Sequence, residues 1–194
     1  MKKLTTFAAL VAAAFAGSAM AGFTGVTDPS NFAVANLGTL LGAATPGTAN
    51  FSSTALSMVG SDSDAGCAGG VYGFLSSPCQ LQVTIIAAGT FSFDWTYSTA
   101  DGDGPPGDIF GVLVDGLRIP ISDPGGAVDQ AGSRTLAATS SFGWFINCTD
   151  CTFGAASANV SNLSFVPEPS SFALLVAGAI GLGASARRRK GAPR

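Results

Sequence analysis

The sequence contains no histidine. The commonest general base and the commonest metal ligand are therefore both missing. No Ser-His-Asp or Cys-His set can be assembled. A zinc site would have to rest on Cys67, Cys79, Cys148 and Cys151 alone. Cations are almost as scarce. Between Gly22 and Val166 only Arg118 and Arg134 carry positive charge, against eleven Asp, and the sole Glu, Glu168, lies beyond. Such a body has no basic footprint with which to neutralise phosphates, which excludes nucleic acid as a partner. An acidic body suits divalent cations or simple solubility. No Gly-rich phosphate loop sits between a strand and a helix, and no stretch of the body keeps a 3.6-residue apolar period over ten residues. With 47% hydrophobic and 11% charged residues, the composition is that of a packed chain and not a disordered one.

The N-terminus reads "MKKLTTFAALVAAAFAGSAMAG". Lys2 and Lys3 precede an apolar run from Leu4 to Ala16, and Ala19-Met20-Ala21 is an A-x-A cleavage site. This order predicts a secretory signal peptide over 1–21, cut before Gly22. At the other end, Phe172 to Ala186 is fifteen residues without charge, about 22 Å of helix against a bilayer core of about 30 Å. A short transmembrane helix is expected there, extended by Ser170 and Ser171 and by snorkelling arginines. Arg187, Arg188, Arg189 and Lys190 follow it and mark the cytoplasmic side. Pro167 and Pro169 keep the helix from running upstream and hold the chain extended.

The tail "VPEPSSFALLVAGAIGLGASARRRK" resembles a PEP-CTERM sorting signal: a motif at Val166, Pro167, Glu168, Pro169 and Ser170, a short apolar segment, and a basic cluster. The resemblance covers the last 29 residues. It implies handling by an exosortase, a membrane-embedded cysteine protease of Gram-negative bacteria, in systems that accompany exopolysaccharide and biofilm production. The tail would be the substrate, and none of its residues does chemistry.

The body from 22 to 166 reads as strands separated by Gly, Pro, Asp and Ser turns. In "TFSFDWTYS", Phe91, Phe93, Trp95 and Tyr97 alternate with Ser92, Asp94, Thr96 and Ser98, a half-buried strand. "LQVTIIAAG" precedes it, with Leu81, Val83 and Ile85 on one face, and Ala88-Gly89 suggests a hairpin between the two runs. "DIFGVLVDGLRIPIS" predicts a second hairpin around Asp115-Gly116. In "SFGWFINC", Phe142, Trp144 and Ile146 alternate again. "AASANVSNLSF" keeps Ala156, Ala158 and Val160 on one parity and then switches to Leu163 and Phe165, which predicts a bulge near Ser161-Asn162. "NFAVANLGTLL" is a short helix or an early strand. The expected fold class is all-β: an antiparallel β-sandwich or jelly roll, flanked by the signal peptide and a C-terminal sorting segment over 167–194.

An even number of cysteines in an exported chain predicts two disulfides, with three pairings available. Cys67 and Cys79 bracket "CAGGVYGFLSSPC", so pairing them closes a short loop, and Cys148–Cys151 then closes a bridge of its own. The competing reading is a C-x-x-C redox or zinc site, which lacks a surrounding βαβ pattern and a second C-x-x-C.

The densest polar stretch is "STADGDGPPGDIFG", which places Asp101, Asp103 and Asp108 in one Gly/Pro loop. Calcium favours such oxygen-rich loops, and Asp150 in the "CTDC" turn becomes a fourth carboxylate if that turn packs beside the loop. Asp62 and Asp64 form a weaker pair. The alternative is turn chemistry, since Asp and Gly are turn residues in any case. "FDWTYSTADGDGPPGDIFGVLVDG" with "INCTDCTFGAASANVSNLSF" resembles a domain found in many PEP-CTERM proteins. Its spacing is also similar to that of CUB-type jelly rolls. That resemblance implies Asp108 and Asp150 as calcium ligands, with Asp94 or Asp101 replacing an upstream Glu that this chain lacks.

Four N-x-S/T sequons stand at Asn50, Asn147, Asn159 and Asn162. Asp94, beside Trp95, is the one candidate for a glycosidase acid, but it shares a face with Ser92 and Thr96. The expectation is therefore a non-enzymatic, exported surface or exopolysaccharide-matrix protein. The alternative is a calcium-dependent carbohydrate-binding module or adhesin, using Trp95, Trp144 or Tyr97 as sugar platforms.

Overall fold

The computed structural model describes residues 20–68, 79–149 and 151–168. The chain divides into two units: 19–166, which is the body, and the terminal segments 1–18 with 167–194. Of the second unit only Pro167 and Glu168 are described. The signal peptide up to residue 19, Pro169 and Ser170, the apolar segment and the basic cluster lie outside the described residues. Among the described residues no helix is long and apolar enough to cross a membrane.

Thirteen strands are described, antiparallel in every pairing whose register is described: β1 (Met20–Ala21), β2 (Ala33–Leu37), β3 (Ala44–Thr45), β4 (Thr48–Phe51), β5 (Ala55–Val59), β6 (Asp62–Ser63), β7 (Cys79–Ile85), β8 (Gly89–Thr99), β9 (Asp108–Val114), β10 (Leu117–Pro120), β11 (Asp129–Ala138), β12 (Phe142–Cys148) and β13 (Ala156–Pro167). One sheet runs β11-β8-β13-β5-β4, with β1 also on β13. The other runs β10-β9-β12-β7-β2, and β3 pairs with β6. "NFAVANLGTLL" is thus a strand at its centre, β2, on the edge of the second sheet.

Period-two patterning decides which side chains meet. Phe91, Phe93, Trp95 and Tyr97 all project inward from β8. Phe91 stacks on Phe142 of the facing sheet with ring centroids 4.2 Å apart and planes 7° apart. Phe93 meets Trp144 edge-on at 5.5 Å, and Trp95 meets Phe110 at 5.9 Å. This face-to-face seam makes the two sheets a sandwich. In β13 the inward set shifts from Ala156, Ala158 and Val160 to Leu163 and Phe165. Asn162 absorbs the extra residue at φ 51°, as a bulge requires.

The expected hairpin between the runs at 81–85 and 91–98 does not form. β7 belongs to one sheet and β8 to the other, so Ile86 to Ala88 carries the chain across the sandwich. Both runs turn their apolar faces to the same core from opposite sides, and Ile86 is left 92% exposed at the crossing. The hairpin at Asp115-Gly116 does form, with Leu117 opposite Val114. Both turn residues have positive φ, 52° and 80°, the geometry of a two-residue turn matched to strand twist.

Asp115 does more than turn the chain. Its carboxylate accepts the backbone N–H groups of Thr139 (3.0 Å), Ser140 (2.7 Å) and Ser141 (3.0 Å). It also accepts the hydroxyls of Thr139 (2.8 Å) and Ser140 (2.9 Å). The β9–β10 turn is thereby tied to the β11–β12 connection. The Thr139 and Ser141 amides, followed by the two hydroxyls, hold the Asp115 carboxyl well below its ordinary value of 3.8. A depressed folded-state pKa adds stability above the unfolded value, and that stability is lost as pH falls through the folded one. Asp115→Asn is therefore expected to lower the melting midpoint at pH 7 and to flatten the fall in midpoint below about pH 4. Thermal melts of both proteins across that range check it, and parallel curves would contradict it.

Candidate functional site

The Asp-rich loop joins β8 to β9 at one end of the sandwich. Asp101 is 7% exposed and Asp108 1%. A single hydroxyl links them: Thr99 donates to Asp108 Oδ2 at 2.9 Å and accepts the Asp101 N–H at 3.1 Å. Asp101 Oδ1 accepts the Asp103 N–H at 2.7 Å, a side-chain turn that leaves the Asp103 side chain exposed. The Tyr97 hydroxyl donates to the Asp108 carbonyl at 2.6 Å. Burial, and then the negative charges of Asp108 and Asp101, push the Tyr97 phenol well above its usual range, with Thr99 opposing. A Cβ at Gly107 would run into the Asp101 carboxylate, so any larger residue there would displace that side chain.

The late turn does pack against this loop. Thr149 donates to the Gly107 carbonyl through its N–H (2.8 Å) and its hydroxyl (3.0 Å), and Cys148 stands opposite Asp108 in the β12–β9 ladder. The structure thus brings Asp101 and Asp108 to one place. Asp103 is on the outside, and Asp150 lies outside the described residues. Asp62 and Asp64 are spent locally, on the N–H groups of Ser63 and Ala43. Asp94 is exposed and accepts from the Asn162 side chain at 2.7 Å.

The three candidate sugar platforms are core residues: Trp95 is 5% exposed, Tyr97 2% and Trp144 0%. The outer face of the β8 sheet is instead built from short polar side chains. A groove of about 510 Å³ lies on it, lined by Ser57, Thr96, Ser98, Asp129, Ser157 and Asn159 from four adjacent strands. Alternation places the even positions of β8 toward solvent, but only the strand order sets those of β11, β13 and β5 beside them.

On the other sheet, Gln80 and Asn147 stand opposite each other in the β7–β12 ladder, both 1% exposed. Gln82 Nε2 donates to Gln80 Oε1 at 2.6 Å. Among the described residues, Gln80 Nε2 and both amide atoms of Asn147 have no hydrogen-bond partner. The Asn147 sequon is therefore buried and inaccessible to glycosylation, a fact not visible in the tripeptide itself.

The disulfides pair as expected, Cys67–Cys79 and Cys148–Cys151. All four cysteines are buried in one cluster with Leu40 against it. Among the described residues, the one group of three or more potential metal-ligating side chains is Cys67, Cys79 and Cys151.

The sorting motif starts inside the body. β13 runs without interruption through Val166 to Pro167, Val166 and Glu168 are exposed, and the Val166 carbonyl lies against Gly89 at the start of β8.

Residues 165–190 match the family model described as the PEP-CTERM protein-sorting motif. That motif marks an exported, surface-sorted chain. No curated protein matches the sequence. Solved structures similar to the chain include a mutant of the family 29 carbohydrate-binding module CBM29-2, at 8% identity and TM-score 0.36, covering 77% of this chain and 91% of that one. A family 11 module of a Clostridium thermocellum cellulosomal cellulase has 6% identity and TM-score 0.38, covering 78% and 94%. The C-terminal CBM6 of LamC from Zobellia galactanivorans has 12% identity and TM-score 0.27, covering 69% and 99%.

A buried amide without a partner costs about 1–3 kcal/mol. Asn147→Leu is therefore expected to leave unfolding stability unchanged or raise it by about 1 kcal/mol. Urea denaturation measures this, and a loss above about 2 kcal/mol would show that the amide is satisfied in solution.

Proposed function

We propose that this chain, carrying the PEP-CTERM sorting motif, is exported through the inner membrane of a Gram-negative bacterium and processed there by an exosortase. Its sandwich then serves as a non-enzymatic structural or interaction protein at the cell surface or in the exopolysaccharide matrix. The signal peptide delivers it, and the apolar segment before the basic cluster holds it in the membrane until processing. The observation that carries this reading is the join between body and motif. β13 ends at Pro167 and Glu168 is exposed, so the motif begins on an extended strand and continues onto an accessible residue. Such presentation suits a protease that needs an extended substrate. In a host with an exosortase, the double change Pro167→Ala and Glu168→Ala is expected to leave the chain full-length in the membrane fraction, while the parent is shortened and leaves it. Identical mass and location for the two would overturn the reading.

A second reading, a calcium-dependent carbohydrate-binding module or adhesin, is favoured by the groove. Serine and threonine hydroxyls and the Asn159 amide match the donors and acceptors of sugar hydroxyls, and such short side chains lose little rotamer entropy on binding. Asp101 and Asp108 would hold the calcium. A glycan array on the mature protein is expected to give weak binding, reduced about fivefold by Asn159→Ala, the value of one hydrogen bond. EDTA is expected to lower the melting midpoint, and Asp108→Asn to remove that response. No glycan bound with or without calcium, and no EDTA shift, would reduce this reading to a plain surface and a plain turn.

A further inference from the structure

The two disulfides are not separate staples. Cys79 opens β7 and Cys148 closes β12, and the two stand directly opposite each other in the ladder between those strands. Cys148 Sγ reaches the Cys79 carbonyl oxygen at 3.5 Å. Across the bridges, the sulfurs of Cys67, Cys79 and Cys151 all lie within 4.8 Å of one another. Cys151 Sγ therefore lies within 4.8 Å of both sulfurs of the other bridge. All four residues are at most 8% exposed, so an external thiol meets them less readily than they meet each other.

Disulfides exchange when a thiolate attacks a disulfide sulfur, and the rate depends on thiolate fraction and access. Access is already provided here by the fold. We propose that the four cysteines form a single internal thiol–disulfide exchange centre. Within it, at the stage when one bridge and two thiols are present, that bridge moves without unfolding: Cys67–Cys79 interconverts with Cys67–Cys151, or Cys148–Cys151 with Cys79–Cys148. The step balances without any oxidant. With Cys148 and Cys151 as thiols, the Cys151 thiolate attacks Cys67 Sγ and forms the Cys67–Cys151 bond. The Cys67–Cys79 bond breaks, and its electron pair leaves on Cys79 Sγ, which takes up a proton. The freed Cys79 thiol then faces Cys148 across the ladder. One disulfide is lost and one gained, with no net oxidation. A bridge formed wrongly during oxidative folding outside the cytoplasm can in this way be corrected inside the assembled sandwich.

The test uses Cys148→Ser, which leaves Cys151 as an odd thiol. The oxidised full-length variant is held natively at several pH values, quenched in acid, alkylated with a maleimide and mapped by peptide mass spectrometry. The expected result is label on Cys79 together with a Cys67–Cys151 cross-link. Its rate of appearance should rise with pH toward the ordinary thiol pKa of about 8.5. Cys67→Ser provides an independent arm. There the Cys79 thiol is expected to take Cys148 and release Cys151, so label appears on Cys151. Near-UV circular dichroism confirms that each variant is folded. The proposal is overturned if label stays on Cys151 in the first variant and on Cys79 in the second. It is equally overturned if the cross-links shift only after urea is added.

Discussion

The aromatic seam between β8 and the β9–β12 pair holds the two sheets in one alignment, and the placement of every polar feature follows from it. Phe91 on Phe142, Phe93 on Trp144 and Trp95 on Phe110 run in order along the strands. Each fully buried ring contributes about 1.5–3 kcal/mol, with about 0.5–1.5 more for a well-oriented pair. A one-residue slip of β8 would turn all of them to solvent and bring Asp94 and Thr96 inward. Because that slip is so costly, the strand ends are held in register. Tyr97, the last ring of the seam, fixes Asp108 through its hydroxyl, and Asp108 in turn stands opposite Cys148.

Local alternation made much of this legible in advance. The inward faces of β8, β12 and β13, the bulge at Asn162 and the Asp115-Gly116 turn follow from spacing alone. Strand partners, apart from the β9–β10 hairpin, did not. Period two says which side of a strand is buried, but a strand buried on one side fits either sheet of a sandwich, because both sheets face the same core. Spacing alone therefore pairs the run ending at Ile85 with its neighbour in sequence, while the structure sends the chain across to the other sheet. For the same reason the groove was invisible. Ser57, Thr96, Ser157 and Asn159 become neighbours only once β8, β13 and β5 are known to be adjacent. The clamp made by Asp115 depends on Thr139 to Ser141, more than twenty residues away, and turn chemistry at Asp115 gives no sign of it.

The chemistry of the molecule is concentrated where the strands stop. One end carries the Asp101–Thr99–Asp108 link and the Thr149 turn, with the four sulfurs beginning at Cys148, one residue before that turn. The sorting motif is likewise a strand end, since β13 passes into Val166 and Pro167 without a linker. Processing beyond Pro167 leaves the whole of β13 in place. A cut upstream of Val166 would remove a segment whose carbonyl packs on Gly89. The first two residues of the motif, Val166 and Pro167, are thus the last two of β13.

The most direct measurement of the account as a whole is the intact mass of the chain recovered from the surface of its own cell. The account predicts a mass lacking residues 1–21 and everything well beyond Glu168, lower by four hydrogens for two disulfides. A full-length chain with four free thiols, recovered from the cytoplasm, would contradict it.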